Sequence, residues 1–540
     1  MNKLKNSKDK YILVSILIVA SILRLVGLNW DQGHFLHPDE RLYVNASNIS
    51  LPHSFEEFIS KDSPLNPQMF YYGSFPLYIY KSVNTLFFPN ENFLIISRLT
   101  SAIFSITTVL IIYLIGKNIF NRKVGLIAAF IYALTPGSIQ NAHFNTTESI
   151  LIFLLSTILY LSVLVYRKFT FKKAVITAIL LGFSVGTKIT GLTLGLIPFI
   201  VFVGIAIQRK IKLFLLCGII FSLFFVIAAF ISAPYQIIDW EHFRLEQEYM
   251  QGVILGDNKP PFTIIYERTT PYIYPLIKVV PFIFGFITLP IALLGLGLIV
   301  KKLIKNKGKD ISLILLIIFP LIYFLWVGSW YAKFARYYIL LIPFISIYAG
   351  YFIYKIKFNL LQVIILFLIF INGVIFIKIY LAPHTRIAAS EWIYENIPSQ
   401  SVITGEHWDD NLPLPLSNTQ YGIFTLNQLN VYDTDDKEKI RILSQTLAAS
   451  DYFITSSRRV SHSIIVNKDK YPYTSDLYKM LDENKIGYER IKEFTNYPFI
   501  FSDDFADESF QSYDHPPVII YKNVAKLNEN IIYNTLTYEK

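Results

Sequence analysis

About eleven apolar runs, most of them close to the roughly 20 residues that cross a bilayer, leave this chain of 540 residues few ways to fold. They fall at 11–28, 93–116, 124–141, 149–166, 174–187, 190–207, 213–233, 276–300, 311–327, 338–354 and 359–381. Backbone in hydrocarbon must satisfy its own N–H and C=O groups, so each run is expected as a helix. Charged residues make up 16% of the chain, against roughly 25% in a soluble domain. A polytopic α-helical membrane protein with about eleven transmembrane helices follows.

The basic residues settle the sidedness that the sequence predicts. Clusters at Lys3 to Lys10, Lys117 with Arg122 and Lys123, 167–173, 209–212, 301–309 and Lys355 with Lys357 alternate with the runs and fall on one side. That is the positive-inside pattern, and it places the N-terminus in the cytoplasm. The formal charge of +10 is thus spread between spans, which argues against a nucleic-acid partner. The short pair 174–187 and 190–207 fits only as a hairpin with its tip near Lys188 on the outer side. The first run follows basic residues and lacks a cleavage-like site, so it reads as a retained signal anchor. The single cysteine, Cys217, excludes a disulfide within the chain.

Outside fall the loop 29–92, the junction 141–148, the loop 233–275, the segment 328–337 and everything after 381. In the first loop, 39–50 and 66–81 read as interfacial amphipathic helices. The division expected is a transmembrane domain over 1–381 and an extracytoplasmic α/β domain over 382–540. Helices are expected there at 386–396, 436–449 and 475–485, and strands at 401–405, 452–456 and 517–521.

Polar residues on the outer side are few. His37-Pro38-Asp39-Glu40 opens the first loop, with His34 and Arg41 beside it. It reads either as a helix start with acids at the positive helix end or as a proton-accepting site. Glu148, after His143, is either an N-terminal carboxylate of the fourth span or a site residue. Lys188, between Gly186 and Gly191, either snorkels or holds an anion. Lys333, Arg336 and Tyr337 form either an aromatic and basic belt or a lipid-phosphate cradle. Carboxylates and cations gathered on one membrane face suit sugar transfer from a lipid-linked phosphate: a carboxylate takes the acceptor proton and cations stabilise the leaving phosphate.

These residues resemble the GT-C superfamily of polyprenyl-phosphate-dependent glycosyltransferases, in the branch of protein O-mannosyltransferases and aminoarabinose transferases. Carrying the resemblance over about 10–381 are Asp39-Glu40, Glu148, Gly182 to Lys188 in the short hairpin, and Arg336-Tyr337 leading to Pro343. It implies a GT-C membrane core, an inverting displacement with Asp39 as general base, and Glu40 supporting it or orienting the acceptor. It also implies a substrate- or metal-contacting role for Glu148, and a donor-phosphate role for Lys188 and Arg336. Lys333 and Tyr337 join that phosphate set by position. A divalent metal ion is the one cofactor considered, with His37 and His143 as candidate ligands. The partners expected are a polyprenyl-phosphate sugar, an extracytoplasmic acceptor (protein, lipid or glycan) and membrane lipids, in a prokaryotic cell membrane.

Two other classes fit these residues less well. A transporter or lipid flippase predicts mid-span charges and internal repeats; Arg24 and Arg98 lie within or near spans, and no repeat is evident. A scaffold presenting the tail leaves the gathered charges without a role. In the tail, Glu406-His407-Trp408-Asp409-Asp410 reads as a loop capping the membrane part or as a carbohydrate contact, and Ser456 to Arg459 as a solvated strand end.

Overall fold

The computed structural model describes residues 2–207, 211–416 and 422–537, and the Cys217 side chain lies outside what it describes. Among the described residues, six helices are long and apolar enough to cross a membrane: Phe93–Ile119, Glu148–Arg167, Ile189–Ile207, Ile311–Gly328, Ala335–Lys355 and Asn359–Asn396. The remaining apolar runs also fold as helices, shorter or more charged, such as Arg122–Leu134, Phe171–Thr187 and Thr288–Lys305. The chain is thus an integral membrane protein of mainly helical architecture, with a small sheet at its C-terminal end.

Close helix pairs are set by small residues. A Cβ on Gly116 would lie 2.8 Å from the Gly125 Cα, and one on Gly295 2.0 Å from the Tyr348 carbonyl oxygen. The predicted hairpin is present: Phe171–Thr187 ends at Lys188, and a 3-10 turn at Ile189–Gly195 leads into Leu196–Ile207. At its tip Gly73 of the first loop donates its N–H to Thr187 O at 3.0 Å, and a Cβ on Gly73 would meet the Gly186 carbonyl oxygen.

The basic helix ends gather at one end of the bundle. Arg122 pairs with Asp9 at 3.9 Å, Arg167 donates to Asn118, and Lys302 lies 4.9 Å from the Phe120 ring. The first loop occupies the other end.

In that loop the expected helices are Pro38–Asn45 and Ser74–Phe87. The second starts eight residues later than its apolar pattern suggests. Residues 66–73 instead run across the Trp240–Leu255 helix, where Phe70 N–H donates to Glu246 at 2.5 Å and Phe70 O accepts from Gln247 at 2.5 Å.

After Leu381 the chain forms five strands: β1 Val402–Glu406, β2 Thr425–Leu429, β3 Tyr452–Thr455, β4 Tyr488–Phe494 and β5 Val518–Asn523. Their order is β2-β1-β3-β5-β4; β1 is parallel to both β2 and β3, and β5 is antiparallel to β3 and β4. The three helices expected there are present at Thr385–Asn396, Lys437–Ala449 and Pro472–Asp482. β2 and β4, missing from the sequence reading, are the two edges, and each turns polar residues to solvent. Ile403, Ile454 and Ile520 of the sheet share one buried cluster with Phe282 and Phe376 of the membrane helices, so the core runs on past Leu381.

A buried polar staple fastens this region. His515 is held by Asp514 at 2.5 Å and Asp503 at 2.8 Å, while Asp514 accepts from Tyr380 at 2.6 Å and from Gln140 at 3.1 Å. Burial opposes the imidazolium, but the two carboxylates outweigh it and raise His515 to about 10. A histidine raised on folding adds stability that is complete below its ordinary value of 6.5 and is lost as pH rises through 10. Thermal unfolding followed from pH 6.5 to pH 10 should therefore show stability falling with pH, and His515→Gln should flatten that slope.

Candidate active site

The site begins at the first turn of Pro38–Asn45. His37 caps this helix by accepting the Asp39 N–H on Nδ1 at 3.2 Å, Pro38 fixes the first helical φ, and two acids occupy the first turn. Its ring is clamped between Phe144, at 4.6 Å between centroids, and Tyr513, at 4.1 Å. Burial lowers the His37 imidazole below its ordinary value, so the ring is neutral at pH 7.

Asp39 and Glu40 diverge because successive residues on a helix point about 100° apart. Glu40 turns inward and is fully buried. There Arg98 spends all five of its N–H donors. Nε and Nη2 reach Glu40 at 2.9 and 2.5 Å, Nη1 and Nη2 reach Asp31 at 2.9 and 3.0 Å, and Nη1 also reaches Leu28 O at 2.9 Å. Glu40 also accepts the Asn145 N–H at 2.5 Å, tying the junction before the Glu148–Arg167 span to the same cluster. Of the two roles expected of Glu40, these contacts suit support of Asp39 better than orientation of an acceptor, because the carboxylate is turned to Arg98 and the Asn145 N–H.

Asp39 turns the other way and forms an ion pair with Arg336. Burial opposes ionisation of Asp39, but Arg336 and then His37 outweigh it, holding the carboxyl below the usual range. Beside this pair, Lys188 meets Glu148 at 3.2 Å. The Lys188 ammonium lies 5.6 Å from the rings of both Tyr72 and Tyr337, and Arg336 lies 5.9 and 5.7 Å from the same two rings. Two ion pairs thus share one aromatic enclosure. Arg336 Nε has no hydrogen-bond partner among the described residues, so a donor stands free in it.

Two cavities meet at this point. A small polar recess is lined by His37, Asp39, Asn141, Thr146, Glu148 and Ser509. A second cavity, ≈ 250 Å³, is walled by Tyr71, Tyr72, Tyr249, Phe262, Tyr337 and Arg459. Both include Asp39, Phe334, Arg336 and Tyr513 in their linings.

Asp39, Glu148, Lys188, Arg336 and Tyr337 are therefore brought together with His37 beside them, whereas Lys333 and His143, like Glu40, are placed otherwise. Lys333 turns from the cavities, donating to Tyr331 O at 2.8 Å beside Tyr266; burial lowers its ammonium to about 8. His143 lies outside the cavities with both ring nitrogens against backbone carbonyls, Ile139 O and Val26 O, each at 2.9 Å. It stacks on Tyr380 at 3.7 Å, which makes it a packing residue and not a metal ligand. His37 has Nδ1 committed to its cap. Among the described residues no three His, Cys, Asp or Glu side chains form a metal-holding group, and the two cavity carboxylates each face a cation. This donor set does not fit a resident metal ion.

The tail supplies residues that the sequence reading missed. Arg459, expected on a solvated strand end, is held by Glu508 at 3.0 Å, lies 5.4 Å from the Tyr513 ring and lines the larger cavity. Nothing local marks it, because its partners are 49 and more residues away. Asp409 and Asp410 pair with Arg386 at 2.7 and 2.6 Å, and Asp410 also with Arg41 at 2.6 Å. That loop closes over the helix carrying Asp39, as a cap on the membrane part should.

A family model described as dolichyl-phosphate-mannose-protein mannosyltransferase matches residues 74–232. No curated protein matches the chain in sequence. The apo oligosaccharyltransferase of Archaeoglobus fulgidus is a structural likeness with a TM-score of 0.50 and 12% identity, covering 86% of this chain and 72% of that one. ArnT of Cupriavidus metallidurans in the apo state aligns with a TM-score of 0.46 and 14% identity, covering 97% and 99%. The family match and the shared fold agree with the GT-C resemblance drawn from the sequence.

The Arg98 cluster should be the least replaceable part of the site. Arg98→Met strands two buried carboxylates, a loss of roughly 3–5 kcal/mol. The expected outcome is a large drop in melting temperature or failure to purify as a monodisperse protein, whereas Asp39→Asn, which leaves one partly solvent-accessible cation unpaired, should lower the melting temperature less.

Proposed function

We propose that this GT-C-type membrane protein transfers a sugar from a polyprenyl-phosphate donor to an acceptor hydroxyl, inverting the anomeric carbon, with Asp39 as general base. The observation that carries the reading is one aromatic enclosure holding Asp39 against Arg336 and Glu148 against Lys188, where a polar recess meets a larger cavity. The family match over 74–232 supports the same class. ArnT of Cupriavidus metallidurans has been solved bound to undecaprenyl phosphate, a lipid phosphate of the kind that leaves in this reaction.

In the reaction the acceptor oxygen attacks the anomeric carbon and its proton passes to Asp39. The bond from that carbon to the phosphate oxygen breaks, and the leaving polyprenyl phosphate keeps the electron pair beside Arg336 and Lys188. Asp39 and the phosphate compete for Arg336. When the phosphate takes it, Asp39 loses its nearest counter-charge and its proton affinity rises, which favours donor binding ahead of acceptor activation. Glu148 holds Lys188 in the enclosure until the phosphate arrives. The aromatic walls exclude water from the reacting carbon.

The positive-inside pattern supports an outer catalytic face, a cytoplasmic N-terminus and the tail outside a prokaryotic cell membrane. An accessibility label tests this: Ser502→Cys, at an exposed position, in a Cys217→Ser background should react with an impermeant maleimide in intact cells. Labelling only after lysis would reverse the orientation.

Turnover of a panel of radiolabelled polyprenyl-phosphate sugars by the purified protein tests the activity. Asp39→Asn should lower transfer by about 10²–10⁴-fold with the fold intact. Arg336→Ala should cost about 10²–10³-fold and weaken donor use more than acceptor use. An Asp39→Asn protein with wild-type turnover would remove the base assignment.

A further inference from the structure

At the end of the bundle remote from Asp39, the last turns of two helices bring four lysines around one cavity. Lys301, Lys302 and Lys305 belong to Thr288–Lys305, and Lys355 ends Ile342–Lys355. The close approach of Gly295 to the Tyr348 carbonyl holds these helices together, so the lysines are fixed relative to one another by backbone packing. The cavity, ≈ 470 Å³, is completed by apolar walls from Leu298, Tyr351, Phe352 and Ile356.

Two features separate this cluster from ordinary lysines at a membrane edge. The first is that none of the four has an ion pair or hydrogen bond among the described residues. The second is that Lys302 and Lys355 face the same ring: their ammonium groups lie 5.9 and 5.5 Å from Tyr351, with Phe120 a further 4.9 Å from Lys302. Two cations on one ring repel each other, and an anion bound by both relieves that repulsion. Tyr351 is itself buried and cannot swing away.

From Arg336 to Lys355 the chain climbs 3-10 and α-helical turns for roughly 30 Å, about the thickness of a bilayer's hydrocarbon core. The lysines therefore stand at the opposite membrane interface, at the depth of lipid phosphates, and the apolar wall continues toward the acyl region. We propose that this cavity binds the phosphate headgroup of an anionic membrane lipid, with Lys302 and Lys355 as the principal contacts. The lipid acts here as a bound ligand of the helix pair and not as donor, since the cluster lies a bilayer away from the enclosure of Asp39. The inference does not depend on the proposed reaction.

The test uses the purified full-length protein in detergent, titrated with phosphatidylglycerol and read by native mass spectrometry. Lys302→Gln with Lys355→Gln should weaken phosphatidylglycerol binding roughly 25-fold, at about fivefold per lysine. Lys307→Gln with Lys309→Gln removes the same charge from exposed positions outside the cavity, and should keep wild-type affinity. Phosphatidylcholine should not compete. An equal loss in both double variants would reduce the cluster to diffuse surface charge and overturn the proposal. So would displacement of the lipid by inorganic phosphate at the same concentration, which would make the ligand a free anion.

Discussion

One guanidinium holds the candidate site in register. Arg98 projects from the Phe93–Ile119 span into a buried pocket, where it joins Asp31, Glu40 and Leu28 O with no donor left over. Two carboxylates to one guanidinium leaves a net negative charge, eased by the Asn145 N–H on Glu40 and by Gly33 and Leu36 N–H on Asp31. Charges this deep are stable only when every partner is present, so the first loop, the span and the junction before Glu148 must assemble together. Glu40 is thereby fixed, and its neighbour Asp39 is aimed at the cavity.

The charges at the site are paired with one another. Asp39 with Arg336 and Glu148 with Lys188 neutralise each other inside walls of tyrosine and phenylalanine. Such pairs keep any one of these charges from being buried bare. The tail is part of this enclosure and not an appendage: Tyr513 packs on His37, Arg459 stands in the larger cavity, and the aspartates of its first loop grip Arg41 and Arg386. A residue can be read as a solvated strand end from its neighbours in sequence and still be a cavity wall, as Arg459 shows.

Much of this was legible before any coordinates. Period and length of the apolar runs identify helices because hydrocarbon offers the backbone no other partner. The sorting of lysine and arginine between runs anticipated the two chemically different ends of the bundle. Asp39, Glu148, Lys188 and Arg336 stood out because ionisable groups at the edge of apolar runs are costly to keep. The central strands β1, β3 and β5 were visible as buried apolar segments, whereas β2 and β4 were not, since an edge strand with a polar face has no pattern apart from the partner it pairs with.

Sequence by itself determined the membrane architecture, the candidate charges and their common side, because each rests on a local cost of placing backbone or charge in lipid. Only the tertiary structure decided which carboxylate faces the cavity and which is locked against Arg98, since a helical step of one residue separates them and distant partners choose between the two. It also decided that His143 and Lys333 are held by backbone carbonyls away from the site, and that the tail completes the wall. These are contacts between residues tens to hundreds of positions apart, and no local rule of propensity or charge carries them.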